Sequence, residues 1–333
     1  MTASTKTPTN VLADAARKIY RAVGFSKWYN FWLWLGLGGG GLLYFTVTRM
    51  KYLDFYGVFC GGSSGQGSRD LASPGECFYH LDGGWYQLWI IMHLACILPA
   101  SLLACIQFIP IARRKAIWLH RINGWISTVL AAVGAFGSVM LSPHSMGGGV
   151  DTISMVTTQG ILFTTSLVMG CVYAKRHNIA KHRAWMLRTW AIGGAIITMR
   201  HFMTATIILS SLNGGYYYAQ PCDKISFLLG GENATMASYP ECAPFFSGED
   251  PKRHAAVHAT AMTKNKVETA AVINMVFGMA GYMAIILHLV SVELYLYYES
   301  AGSNASSRKQ VAVGTKKPGE ASVSANGDAI KVD

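Results

Sequence analysis

The chain has 333 residues, 51% of them hydrophobic and only 14% charged, with a formal net charge of +11. Soluble domains carry roughly 25% charged residues, so the composition argues against a soluble enzyme and for an integral membrane protein. The positive charge does not point to nucleic acid, because Lys and Arg gather at 17–27, 113–115 and 175–183 and at Arg308, Lys309, Lys316 and Lys317, between or beside apolar runs.

Residues 1–28 are polar, and no small-residue cleavage site follows a short apolar core, so they do not read as a signal peptide. Within them, 10–25 has the pattern of a basic amphipathic helix lying on a membrane surface, with a solvated arm as the alternative. A membrane domain is expected over 29–298. Apolar runs at 31–48, 85–111, 117–141, 153–174, 185–212 and 267–298 each reach the ~18–20 residues that cross a hydrocarbon core as helix. The first contains four consecutive glycines, Gly38 to Gly41, which suit close packing but weaken a helix. From 299 to 333 the chain is Ser, Ala, Gly, Lys and Val without periodicity, which reads as a disordered tail. The expected fold is an all-α bundle of six transmembrane helices, with spans two to five as a four-helix core.

Six spans put all four basic clusters on one side, which the positive-inside rule makes cytoplasmic together with both termini. Loops 49–84 and 213–266 then lie on the opposite side. The second carries the glycosylation sequon Asn233-Ala234-Thr235. Cys60 and Cys77 fall in the first loop, Cys222 and Cys242 in the second. An oxidising lumen would allow a disulfide within each, although spacing alone does not fix the pairing. These marks suggest a eukaryotic secretory or plasma membrane. Cys96, Cys105 and Cys171 fall inside spans and read as packing residues.

Ionisable side chains are costly in a bilayer, so each one in a span is a functional candidate. These are His93, Arg188, Arg200, His201, His288 and Glu293, with His120 and His182 at the inner ends. Helical geometry puts His93 and Gln107 on one face of span two, and returns His182 and Arg200 to one face of span five about 27 Å apart. Two layers follow: His120, His182, Gln107 and Arg188 inside, and His93, Arg200 and His201 outside.

Two layers of histidine suit haem b, with His93, His120, His182 and His201 as ligands, His120 and His182 forming the inner metal pair, and Arg188 facing a propionate. The alternative is cofactor-free catalysis, with His93 or His182 as general acid or base and Arg200 beside it. Simple headgroup anchoring by the His-Arg pairs is a third reading. The sequence HAAVH at His254 and His258 has helical i, i+4 spacing but lacks the Glu of a zinc protease. No phosphate-binding glycine loop, nucleophile elbow, Cys-x-x-Cys pair or aspartate-rich cluster is present, and Glu293 alone as a span carboxylate disfavours transport.

Three stretches, MHLACILPASLLACIQF (92–108), HRINGW (120–125) and KHRAWMLRTWAIGGAIITMR (181–200), together resemble the membrane-protein family catalogued as domain of unknown function 2306 (DUF2306). The resemblance spans roughly 85–211. It singles out His93, Gln107, Phe108, His120, Arg121, Gly124, His182, Arg183, Trp185, Met186, Arg188 and Arg200. The implied core is broadly similar to cytochrome b-561 and ferric-reductase-like proteins, which hold two haems between four helices, each on two histidines. Span four departs from that pattern, since it lacks histidine and has Gln159 as its most polar residue. Three expectations therefore stand beside the bilayer as partner. They are a haem-b redox component served by an electron donor, a cofactor-free isomerase or cyclase acting on a lipophilic small molecule, and a non-catalytic accessory protein of a biosynthetic pathway.

Overall fold

The computed structural model describes residues 8–36, 39–61, 72–81 and 83–314. Helix α1 (Pro8–Ala22) opens the chain. It turns at Gly24, whose φ of +94° suits glycine, and Tyr20 and Phe25 then pack on Phe31 of the next helix. The first apolar run includes two residues, 37 and 38, that lie outside the described ones. It forms α2 (Trp28–Gly36) and α3 (Gly39–Arg49), on either side of residues 37 and 38.

Five helices among the described residues are long and apolar enough to cross a membrane, which bears out the helical membrane bundle; the expected first span includes residues outside the described ones. The five are α4 (Trp85–Gln107), α6 (Ile117–Leu141), α7 (Val150–Lys175), α8 (Ile179–Asn213) and α12 (Lys266–Gly314); the short α5 (Pro110–Lys115) joins α4 to α6. Small residues set the closest approaches. Gly134 and Gly137 of α6 lie against the backbone of α4 at Ile97, Trp89 and His93, and Ala100, Ala104 and Ala131 are fully buried. Gly278 and Gly281 of α12 receive Asp151 and Met155 of α7. The first part of α12 is the most enclosed stretch, with Val267, Ala271, Val272, Val276, Ala280 and Ile285 all buried.

Residues from Ser291 onward form a unit of their own. There the helix continues through Gly314, past the boundary at 298 set by composition, and Tyr295 donates to Glu299 one turn on. The remainder of the expected tail, 315–333, lies outside the described residues.

The segment after α8 is not an open loop. Strands β1 (Tyr217–Pro221) and β2 (His254–His258) pair antiparallel, with Tyr217 opposite His258 and Pro221 opposite His254. Three short helices lie between them: α9 (Cys222–Leu229), α10 (Glu232–Ser238) and α11 (Ala243–Phe246). The fold is thus nearly all-α with one two-stranded ribbon. HAAVH is a strand whose Ala255 and Val257 are buried, so the alternation of β-structure, not a helical ligand spacing, explains it. Disulfides join Cys60 to Cys77 and Cys222 to Cys242. The first packs in a small core with Phe55, Phe59 and Ile90; the second belongs to the main core, with Ile225, Val257 and Val267 and on to Met155, Met199 and Val276.

Candidate functional site

Polar side chains collect at two ends of the bundle. At the basic end, Gln107 of α4 donates to the His120 carbonyl of α6 (3.0 Å), Asn123 donates to the Leu103 carbonyl (3.0 Å), and Ser127 donates to Ala100 (3.2 Å). This ladder ties α4 to α6 directly. Gln107, His120 and Asn123 line a shallow cleft with Ile106, Ala112 and Leu119. His120 sits within electrostatic reach of His182, Arg113 and Arg121, so the two His-Arg motifs converge although they begin different helices.

The His182 ring is oriented by its Nδ1, 2.8 Å from the Gly170 carbonyl of α7. A carbonyl only accepts, so Nδ1 carries the hydrogen and Nε2 is the nitrogen that takes up a proton. Around the pair stand Arg113 and Arg114 of α5 and Arg183 of α8. Lost hydration, then the neighbouring Arg183 and Arg114, hold the Arg113 guanidinium below its ordinary pKa. Arg114 donates to the Gly24 carbonyl, which docks the N-terminal arm on α5. Lys175 lies over the Trp125 ring at 5.8 Å, and Arg188 over Trp185 at 4.7 Å.

The outer histidine layer does not assemble as a facing pair. His93 is turned into α6, its Nδ1 2.7 Å from the Gly134 carbonyl. His201 is exposed, and its Nδ1 lies 3.1 Å from Ile197 on its own helix. Both rings are held at Nδ1 by a backbone carbonyl, one across to α6 and one on its own helix. Among the described residues no group of three or more His, Cys, Asp or Glu converges as a metal site. His288 is half-buried between the Ala191 carbonyl (2.7 Å) and Thr198 Oγ1 (2.8 Å), and bridges α12 to α8.

Opposite the basic end lies a buried polar network that the sequence did not reveal. Glu76 is 5% exposed and takes hydrogen bonds from Ser145 Oγ and the Met146 N–H, both 2.8 Å. His80, fully buried, stands 3.6 Å away as an ion-pair neighbour. Burial alone would raise the Glu76 carboxyl; His80, Met146 and Ser145 outweigh it and hold the pKa below the ordinary value. Lys224, 2% exposed, has its pKa lowered by burial, against the opposing pull of Glu76 and Asp223. Tyr79 is pushed up to about 12 by burial, then by Asp223, Tyr218 and Glu76. Arg200 belongs here, within electrostatic reach of Arg49, Tyr52 and Glu76, its Nε buried and without a hydrogen-bond partner. Asn233 is exposed on α10, while Thr235 of its sequon is buried and donates to the Gly231 carbonyl.

Family comparison bears on the helical core. Residues 90–219 match the family described as predicted membrane protein DUF2306. The matched stretch runs from within α4 into β1, so the DUF2306 segment holds Gln107, His120, Asn123, His182, Arg183 and Arg200. Glu76, His80 and Lys224 lie outside it. Among curated proteins, "Ava biosynthesis cluster protein G" of Aspergillus versicolor is 26% identical over 323 aligned positions, covering 83% of this chain and 90% of that protein. No solved structure matches.

Asn123 was missed as a site residue, although it stands inside the HRINGW motif. Arg113 was visible only as a topology charge. Nothing in the sequence marks Glu76 or Lys224 as partners, beyond their places beside Cys77 and near Cys222.

Proposed function

We propose that this multi-pass membrane protein is a cofactor-free acid–base catalyst, an isomerase or cyclase acting on a lipophilic intermediate of a biosynthetic pathway at the basic end of the DUF2306 segment. One observation carries the reading: His120 and His182 stand together beside a cleft, among arginines. The name of the Aspergillus relative supports the pathway context.

The chemistry needs only side chains of this chain. His182 Nε2 takes a proton from a carbon next to a substrate carbonyl, because Gly170 holds Nδ1 as the donor. Negative charge moves onto the carbonyl oxygen, where Arg113 or Arg183 stabilises it. The imidazolium returns the proton to another carbon, with His120 as its neighbour, and no electron acceptor is required.

The test is complementation of a strain lacking the gene, with products and precursors quantified by mass spectrometry. His182→Gln should lower product by about a hundredfold or more, in the range of lost general acid–base catalysis, at unchanged protein level in the membrane. Full product from His182→Gln would overturn the proposal.

A further inference from the structure

Two sequences in the chain have the form of an N-glycosylation acceptor, Asn233-Ala234-Thr235 and Asn304-Ala305-Ser306. The first lies in the segment between α8 and α12. The apolar run 267–298 separates the two in the sequence, and a single crossing there leaves one of them facing a lumen.

The cysteines mark which side that is. Cys60–Cys77 and Cys222–Cys242 are bridged, the second pair 20 residues apart in the chain and bracketing Asn233. Cys96, Cys105 and Cys171 of the long helices are free thiols. Disulfides form and persist in oxidising compartments such as the lumen of the endoplasmic reticulum, where acceptor asparagines also receive their sugars. Asn233 shares its side of the membrane with the bridges.

The folded segment has room for a glycan but does not present its acceptor. Gly230 and Gly231 turn with φ of +85° and +131°, and a Cβ on either would meet nothing within 4 Å. Past this open turn Glu232, Asn233 and Ala234 are all exposed, so a bulky hydrophilic group on Asn233 stands clear of the fold. Thr235 is fully buried. Its Oγ1 donates to the Gly231 carbonyl at 2.8 Å, and its own carbonyl accepts from the Tyr239 N–H at 2.7 Å. Tyr239 belongs to the same core as Cys222 and Cys242. The acceptor motif includes the Thr hydroxyl as well as the asparagine, and in the finished α10 that hydroxyl is out of reach.

We infer that Asn233 carries an N-linked oligosaccharide, attached before α10 winds and the Cys222–Cys242 bridge closes, and that Asn304 carries none. The donor is a lipid-linked oligosaccharide. The Asn233 amide nitrogen bonds to its anomeric carbon, the C–O bond to pyrophosphate breaks, the polyprenyl pyrophosphate leaves, and the amide gives up one proton. His182 lies in the first turn of α8 and the modified segment follows its last, so the glycan sets the basic end on the cytosolic face, whatever chemistry that end performs.

The full chain would be expressed in a eukaryotic host and run on denaturing gels with and without peptide N-glycosidase, with glycopeptides identified by mass spectrometry. Wild type should shift by one oligosaccharide. Asn233→Gln and Thr235→Ala should abolish the shift, Thr235→Ser should retain it, and Asn304→Gln should leave it whole. An unshifted wild type, or sugar on Asn304, would overturn the assignment. Pulse labelling with thiol capping reads the order: a glycosylated form with free Cys222 and Cys242 should appear first. A bridged, unglycosylated form that gains its sugar during the chase would overturn that order. The double variant Cys222→Ser, Cys242→Ser should be glycosylated at least as fully as wild type, and lower occupancy would count against the order in the same way.

Discussion

The two polar ends of the bundle use the same residue types for opposite purposes. At the disulfide end, Glu76, His80, Lys224 and Asp223 supply one another with opposite charge, and Ser145 and Met146 complete the carboxylate. At the basic end, His120 has His182, Arg113 and Arg121 as its electrostatic neighbours, while Gln107, Asn123 and Ser127 bond backbone carbonyls and tie α4 to α6. The first end is a buried ion network; the second is a half-exposed one of like-charged groups on a hydrogen-bonded seam.

The sharpest way to test this contrast is to remove one charge from each. Glu76→Ala should cost about 3–5 kcal/mol, the usual penalty for stranding the partners of a buried charge, while Arg121→Gln should stay within about 0.5 kcal/mol. Thermal unfolding in detergent would read both; a mild Glu76→Ala would break the comparison. The sign of the pH dependence follows from the depressed Glu76 carboxyl. Its contribution is complete above the unfolded carboxyl value and is lost as pH falls through the lower folded value. For Lys224, also depressed, the unfolded chain holds its proton more tightly, so stability should rise as pH climbs from the folded value towards the unfolded one. Acid melting curves of wild type and Glu76→Gln should therefore converge as pH drops.

Smaller effects separate the ends further. Losing Cys60–Cys77 or Cys222–Cys242, which close spacings of 17 and 20 residues, should cost about 3 kcal/mol each by the loop-entropy argument. Reduction should lower the melting temperature. The smallest contrast is between two glycines. At Gly278 a Cβ would come 2.7 Å from the Asp151 backbone, so Gly278→Ala should cost about 1–3 kcal/mol. At Gly124 the nearest atom is Gln107 Nε2 at 3.7 Å, an ordinary contact, so Gly124→Ala should be neutral or slightly stabilising through helix propensity.

What was legible in the sequence follows the range of the forces involved. The helices of the core show in apolar runs because the bilayer imposes length and polarity locally. The HRINGW and KHRAWM motifs show because each is contiguous. The first run is described only as α2 and α3, on either side of residues 37 and 38. HAAVH carried no clear signal because i and i+4 share a face in a strand as well as in a helix. The Glu76 network was illegible for a different reason: its partners Ser145 and Met146 lie 69 and 70 residues away in the chain. Helical angles put His93 and His201 at one depth, but could not show that one ring turns into α6 and the other turns outward.

The closure of the disulfide end also carries a clock. Glu76 emerges early in synthesis, yet its hydrogen-bond donors arrive only with the turn after α6. Gln220 is not satisfied until Val267 of the last span appears to accept its hydrogen bond. The cap therefore closes in two instalments: a chain that ends at α7 already carries Ser145, Met146 and the Cys60–Cys77 bridge, whereas the Cys222–Cys242 bridge and the Gln220 bond wait for the residues between α8 and the first turn of α12.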